Sequence, residues 1–169
     1  MDDRIREALK RAFDGEAKAA LRLKIFAEKA DKEGYSQIAK LFRVIAASEE
    51  IHGARALKTL RDIGSTEENL AASFESEETV AQVAYDQFIK DALEADDKAS
   101  ALYFTQSRDV EEIHAKLYKE ALNSMASDQD TAYFLCGVCG YVAEGSVPDN
   151  CPVCQAPKDK FFAFDDRCR

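Results

Sequence analysis

The two histidines of this chain, His52 and His114, sit in the same local pattern. Each closes a Glu-x-x-His run, Glu49-Glu-Ile-His52 and Glu111-Glu-Ile-His114. On a helix, residues three apart share a face, so each run sets one carboxylate beside one imidazole. That face is otherwise largely apolar: Ile38, Leu41, Ile45 and Ala56 flank the first run, and Phe104, Ser107 and Tyr118 the second. A carboxylate on an apolar face is costly unless something pairs with it. Two more glutamates share this setting. Glu16 lies between Phe13 and Leu23, and Glu77 between Phe74 and Ala81, with the adjacent Glu78 as the alternative. Glu50 and Glu112 fall one position off the stripe and read as surface charges. A second constellation is built from sulfur. Cys136-Gly-Val-Cys139 and Cys151-Pro-Val-Cys154 are paired C-x-x-C knuckles. Two such turns supply four thiolates in a tetrahedral site that suits zinc or a single iron. Disulfides are the alternative, but nothing else in the chain points to an oxidising compartment. Cys168 stands outside both knuckles.

Four amphipathic helices are predicted to carry the carboxylates and histidines, because apolar residues recur at helical spacing in an Ala-, Leu-, Glu- and Lys-rich stretch. Helix A covers residues 3–32, with Gly34 as its C-terminal cap. Helix B covers 36–62. Ser65-Thr-Glu-Glu68 fits a capping box that opens helix C, from about 66 to 96, and helix D covers 98–124. The predicted core stripes include Ile5, Phe26 and Ala30 on A, Ile38, Leu41, Phe42 and Ile45 on B, Phe74, Ala84 and Phe88 on C, and Ala101, Phe104 and Tyr118 on D. The default architecture is an all-α four-helix bundle. The helices read as one pair used twice: Phe26 and Phe88, Phe42 and Phe104, Glu49 and Glu111, and His52 and His114 are all 62 residues apart. The same offset takes Glu16 to Glu78 rather than Glu77, and a π-bulge in helix C would absorb the extra residue. One Glu from each of two helices plus a Glu-x-x-His from each of the other two is the ligand set of ferritin-like di-metal bundles. Four carboxylates balance two divalent cations, and this oxygen-rich set suits iron or manganese.

Composition divides the chain. All three prolines and all five cysteines lie after residue 135. Residues 1–125 are expected to form the bundle, 126–132 a linker and 133–169 a small metal-stabilised β domain, with short strands at 133–135 and 141–142. So short a tail cannot be held by its own apolar core, so a metal is expected to hold it. The net charge of −9 argues against nucleic acid as a partner. No apolar run is long enough to span a membrane, and the charged N-terminus lacks a secretory h-region, so a cytoplasmic protein is expected.

These residues resemble the rubrerythrins along essentially the whole chain. The resemblance is carried by Gly15-Glu16, Glu49-x-x-His52, Glu77, Glu111-x-x-His114, Cys136-Gly-Val-Cys139-Gly-Tyr-Val-Ala-Glu-Gly145 and Cys151-Pro-Val-Cys154-Gln-Ala-Pro-Lys158, with Phe161 and Phe162. It implies a ferritin-like di-iron bundle followed by a rubredoxin-like domain. It also implies two Fe at Glu16, Glu49, His52, Glu77, Glu111 and His114 and one Fe at Cys136, Cys139, Cys151 and Cys154. The implied activity is that of a non-haem peroxidase reducing hydrogen peroxide to water in oxidative-stress defence. Electrons would come from a donor protein, a rubredoxin or a reductase. Two positions depart from the family pattern. Val80 stands where a further Glu is usual, three residues after the helix C ligand, and Leu23 where a helix A Tyr is common. Val80 keeps a dioxygen-consuming oxidase or ferroxidase as the alternative. A non-redox zinc-ribbon adaptor with a metal-storing bundle is the other.

Assembly follows from loop length. Helices B and C of a ferritin-like bundle run parallel, so their connection must return along the bundle, roughly 30 Å for twenty helical residues. About five residues reach at most about 18 Å. A helix-swapped homodimer is therefore expected, with A and B of one chain completing a bundle with C and D of the other. The competing possibility makes residues 66–75 an extended crossover.

Overall fold

The computed structural model describes residues 1–125 and 130–164, apart from the side chains of residues 80–82. The side chain of Val80, linker positions 126–129 and Cys168 lie outside the described residues. The chain divides into two compact units, Met1–Gly64 and Ser65–Arg169.

The first unit is a helical hairpin of α1 (Asp3–Lys32) and α2 (Ser36–Leu60). Asp2 caps α1 by accepting the Arg4 N–H at 2.9 Å, which satisfies one of the helix's open donors. Gly34 closes it at φ 85°, and the Tyr35 N–H reaches back to the Ala30 carbonyl at 2.8 Å. Partners across the hairpin step in opposite directions, from Arg6–Asp62 through Glu16–His52 to Phe26–Phe42, so the helices are antiparallel. α2 ends two residues earlier than expected because Arg61 turns left-handed, φ 60°.

The seam of this hairpin is made mostly of small residues. Ala39, Ala46, Gly53 and Leu60, each seven residues apart, face Ala20, Ala27 and Ala30, and all are buried. A seven-residue repeat keeps one row on the partner helix, and small side chains let the backbones come close. Of the predicted core stripes, Ala30 lies in this row, but the bulky members lie beside it. Phe26, Ile38, Leu41 and Ile5 are about half exposed in the structure. A hairpin has one seam, the alanines occupy it, and the bulky residues flank it.

The second unit opens with α3 (Thr66–Thr79), whose capping box forms as expected. The Ser65 N–H donates to Glu68 Oε2 at 2.7 Å, and the Glu68 N–H to Ser65 Oγ at 3.2 Å. Residues 66–79 are helical, which removes the extended-crossover possibility. A π-helical turn, Val80–Tyr85, leads into α4 (Asp86–Glu94). That turn supplies the extra residue that the repeat offset required in helix C. α5 (Lys98–Ser124) starts on Asp97, which accepts the Ser100 N–H at 3.1 Å, and runs back antiparallel along α4 and α3. The repeat survives in packing. Phe26 and Phe42 meet at 5.8 Å between ring centroids and Phe88 and Phe104 at 5.4 Å. Ala30 and Ala92 are buried at equivalent places, as are Ala39 and Ala101.

The same unit ends in a three-stranded antiparallel sheet of β1 (Tyr133–Cys136), β2 (Val142–Glu144) and β3 (Phe161–Ala163), in the order β2-β1-β3. The third strand was not expected, since three residues carry no readable alternation. A 3₁₀ turn at Lys158–Lys160 delivers it to β1, where Phe161 pairs with Cys136. Cys136, Cys151 and Ala156 form the core here, flanked by Tyr141, Val153 and Phe161. Among the described residues no helix is long and apolar enough to cross a membrane.

Candidate metal centres

The structure gathers the predicted site residues into three groups. In the first unit, Glu16 of α1 meets Glu49 and His52 of α2. In the second, Glu77 of α3 meets Glu111 and His114 of α5. One ligand atom from each residue lies within 4.8 Å of the others in its group. His52 Nδ1 lies 3.0 Å from Glu49 Oε2 and 3.9 Å from Glu16 Oε1. His114 Nδ1 lies 2.9 Å from Glu111 Oε2. Such separations serve a hydrogen bond, and they also equal the edge of about 3.0 Å between neighbouring ligands in an octahedral site with ~2.1 Å bonds. The donor set therefore fits a hard divalent cation. Glu78 is exposed and belongs to neither group, because the π-turn follows Glu77 and leaves that residue facing α5.

Electrostatics say the same. Glu16 is held above the ordinary carboxylate range, first by its hydrogen bond with Glu49, then by desolvation and the Glu49 charge. Glu49 is pulled down by hydrogen bonds from Glu16 and His52. Glu77 is raised by desolvation first and by the charge of Glu111 second. Carboxylates this close repel unless a proton or a cation stands between them. A metal ion performs that task without needing acid.

The third group is Cys136, Cys139, Cys151 and Cys154. Opposite pairs of sulfurs are 3.7 Å (Cys136 to Cys154) and 3.6 Å (Cys139 to Cys151) apart. Disulfides need about 2.05 Å, so the four are thiols. A tetrahedron with ~2.3 Å metal–sulfur bonds has edges of about 3.8 Å, and the cage matches it. The two knuckles are copies of one turn. The Gly140 N–H bonds to the Cys136 carbonyl at 3.0 Å, and the Gln155 N–H to the Cys151 carbonyl at 2.9 Å. Each knuckle ends left-handed, Gly140 at φ 83° and Gln155 at φ 60°. These turns aim backbone N–H groups at sulfur: Val138 and Cys139 at Cys136, Tyr141 at Cys139, and Ala156 at Cys154. Burial works to raise the Cys136 thiol, but the amides outweigh it and its pKa falls; burial raises Cys139 and Cys154. Residue types do not reveal these amide donors. The one signal was the glycine directly after the first knuckle.

Residues 7–122 match the family model described as Rubrerythrin, and residues 134–162 the one described as Rubrerythrin, rubredoxin-like domain. The chain belongs to the rubrerythrin family. Its relatives include nigerythrin of Nitratidesulfovibrio vulgaris, 31% identical over 94% of this chain and 85% of that one. Rubrerythrin of Porphyromonas gingivalis is 33% identical over 89% and 84%. Among solved structures, the fully reduced, all-ferrous state of nigerythrin matches with a TM-score of 0.59, covering 95% of this chain and 86% of that chain. As in other rubrerythrins, the helical region pairs with a small strand region holding a four-cysteine rubredoxin-like site. The family is an iron-binding one, and the oxygen–nitrogen and sulfur donor sets both suit iron.

Proposed function

We propose that this protein is a non-haem di-iron peroxidase that reduces hydrogen peroxide to water, with electrons entering through a four-cysteine iron. The observation that carries the reading is the repeated half-site. Each helix pair presents two carboxylates and one imidazole at ligand spacing, and the same chain carries a single-iron cage. Glu16, Glu49, His52, Glu77, Glu111 and His114 would hold two irons, and Cys136, Cys139, Cys151 and Cys154 a third. Two ferrous ions held there would supply Lewis acidity and the two electrons that peroxide cleavage consumes. The four carboxylates offset the ions' charge, and the imidazoles supply one neutral nitrogen to each. In the sulfur cage Cys139 and Cys154 are nearer solvent than the buried Cys136 and Cys151. A donor protein, a rubredoxin or a reductase, would deliver electrons on that side.

The five residues Arg61–Ser65 joining α2 to α3 favour a helix-swapped homodimer. They are too short to return along a bundle, and the half-exposed Ile38 and Leu41 need a covering layer. Use of thiols rather than disulfides fits a reducing cytoplasm. Anaerobic stopped-flow spectroscopy tests the activity. Fully reduced protein is expected to be oxidised faster by hydrogen peroxide than by dioxygen. Equal or reversed rates would instead establish the dioxygen-consuming oxidase or ferroxidase, which Val80, lying where the family usually has a further Glu, keeps as the second reading.

A further inference from the structure

The repeat makes its own exceptions visible. Offset by 62, the apolar Leu23, Leu41 and Ile45 of the first helix pair become Tyr85, Tyr103 and Ser107 in the second. Packing does not require the change, since the first pair forms the same phenylalanine contact with leucines beside it. The three polar replacements also lie together. Ser107 hydrogen-bonds the Tyr85 hydroxyl, and the charges of Glu77 and Glu111 act on it. Tyr103, Ser107 and Glu111 are each four residues apart on α5, so they line one face. The Tyr85 ring stands 6.3 Å from that of Phe104, which is 5.4 Å from the ring of Tyr103. A half-buried phenol thus sits beside one candidate half-site, with a second phenol one ring further out.

We propose that Tyr85 is a redox-active phenol that supplies one electron and one proton when peroxide meets a half-reduced iron pair. This rests on the di-iron reading. A single four-cysteine iron delivers electrons one at a time, so the pair must pass through a state holding only one of the two electrons that peroxide cleavage needs. Tyr85 completes the count. Hydrogen peroxide, one proton, one ferrous ion and the phenol yield two waters, one ferric ion and a neutral phenoxyl radical. The O–O bond breaks, iron and Tyr85 are each oxidised by one electron, and the hydroxyl hydrogen leaves with the water. Without that second electron, a single ferrous ion would release a hydroxyl radical into the protein. Tyr103, in ring contact through Phe104, can share the radical.

The test is freeze-quench electron paramagnetic resonance on full-length, iron-loaded protein reduced by one electron per iron pair and mixed with hydrogen peroxide. A tyrosyl radical signal is expected, and Tyr85→Phe loses it while visible spectra show the same iron content and iron oxidation. Phenylalanine keeps the ring contacts with Phe88 and Phe104, so folding is preserved. Tyr103→Phe and Tyr118→Phe are expected to retain the signal. A di-iron spectrum with no radical, or a radical unchanged in Tyr85→Phe, overturns the role of Tyr85 and leaves the di-iron reading standing. Protein that takes up no iron pair overturns both.

Discussion

Glu77 and Glu78 differ by one position and by everything that matters to a metal. The first faces Glu111 and His114, and the second faces solvent. Glu77→Gln is expected to abolish iron uptake in the helical site while sparing the four-cysteine iron. Glu78→Gln should change neither, and metal analysis with visible spectra separates the two. The glutamine variant should also raise the Tm of metal-free protein, since it removes a desolvated carboxylate from beside Glu111. This scale was the most legible. Histidine, glutamate and cysteine are scarce or costly on such faces, so their spacing was informative by itself. Left unreadable were the backbone amides on the sulfurs and the pairing of Tyr85 with Ser107, because both depend on how turns and helices dock.

At the scale of elements, caps made the helices legible. Ser65 with Glu68 and Gly34 were readable as helix ends and form as such, and α1 and α5 run over the expected residues. The π-turn was readable only through the broken repeat offset. Most of the alanine seam was not, since hydrophobicity favours the bulkier neighbouring row. Its closeness gives a prediction. Ala39 is fully buried, and Ala39→Leu should overpack the hairpin and cost about 1–3 kcal/mol by denaturant unfolding. The α5 cap gives a second. Asp97 is held below its ordinary pKa of 3.8, chiefly by hydrogen bonds from the Ser100 side chain and N–H. A carboxylate with a lowered folded pKa stabilises fully above the unfolded value and less as pH falls through the folded one. The capping contribution is therefore expected at neutral pH and lost below about pH 3.8. Asp97→Asn, which still caps, should flatten that part of an acid-unfolding profile.

At the scale of the whole molecule, the proposed swapped dimer predicts complementation. One variant carries Glu49→Ala and His52→Ala, the other Glu111→Ala and His114→Ala. Neither alone should hold an iron pair. Refolded together, a swapped heterodimer brings both intact halves into one site and should recover iron in that site, whereas bundles closed within each chain would recover none. Iron per dimer and size-exclusion mass read the result. Loop length and ligand arithmetic carried this expectation in the sequence, since five residues and half a ligand set per hairpin are both countable there. The duplicated hairpin has a further consequence. A bundle made from two identical hairpins encoded separately would have to keep both ends of its cage alike. Fused in one gene, the copies are free to diverge, and they have: leucine and isoleucine in the first hairpin become tyrosine and serine in the second. Any difference between the metals held by the two half-sites is thus inherited from the polypeptide and does not wait for the reaction to create it.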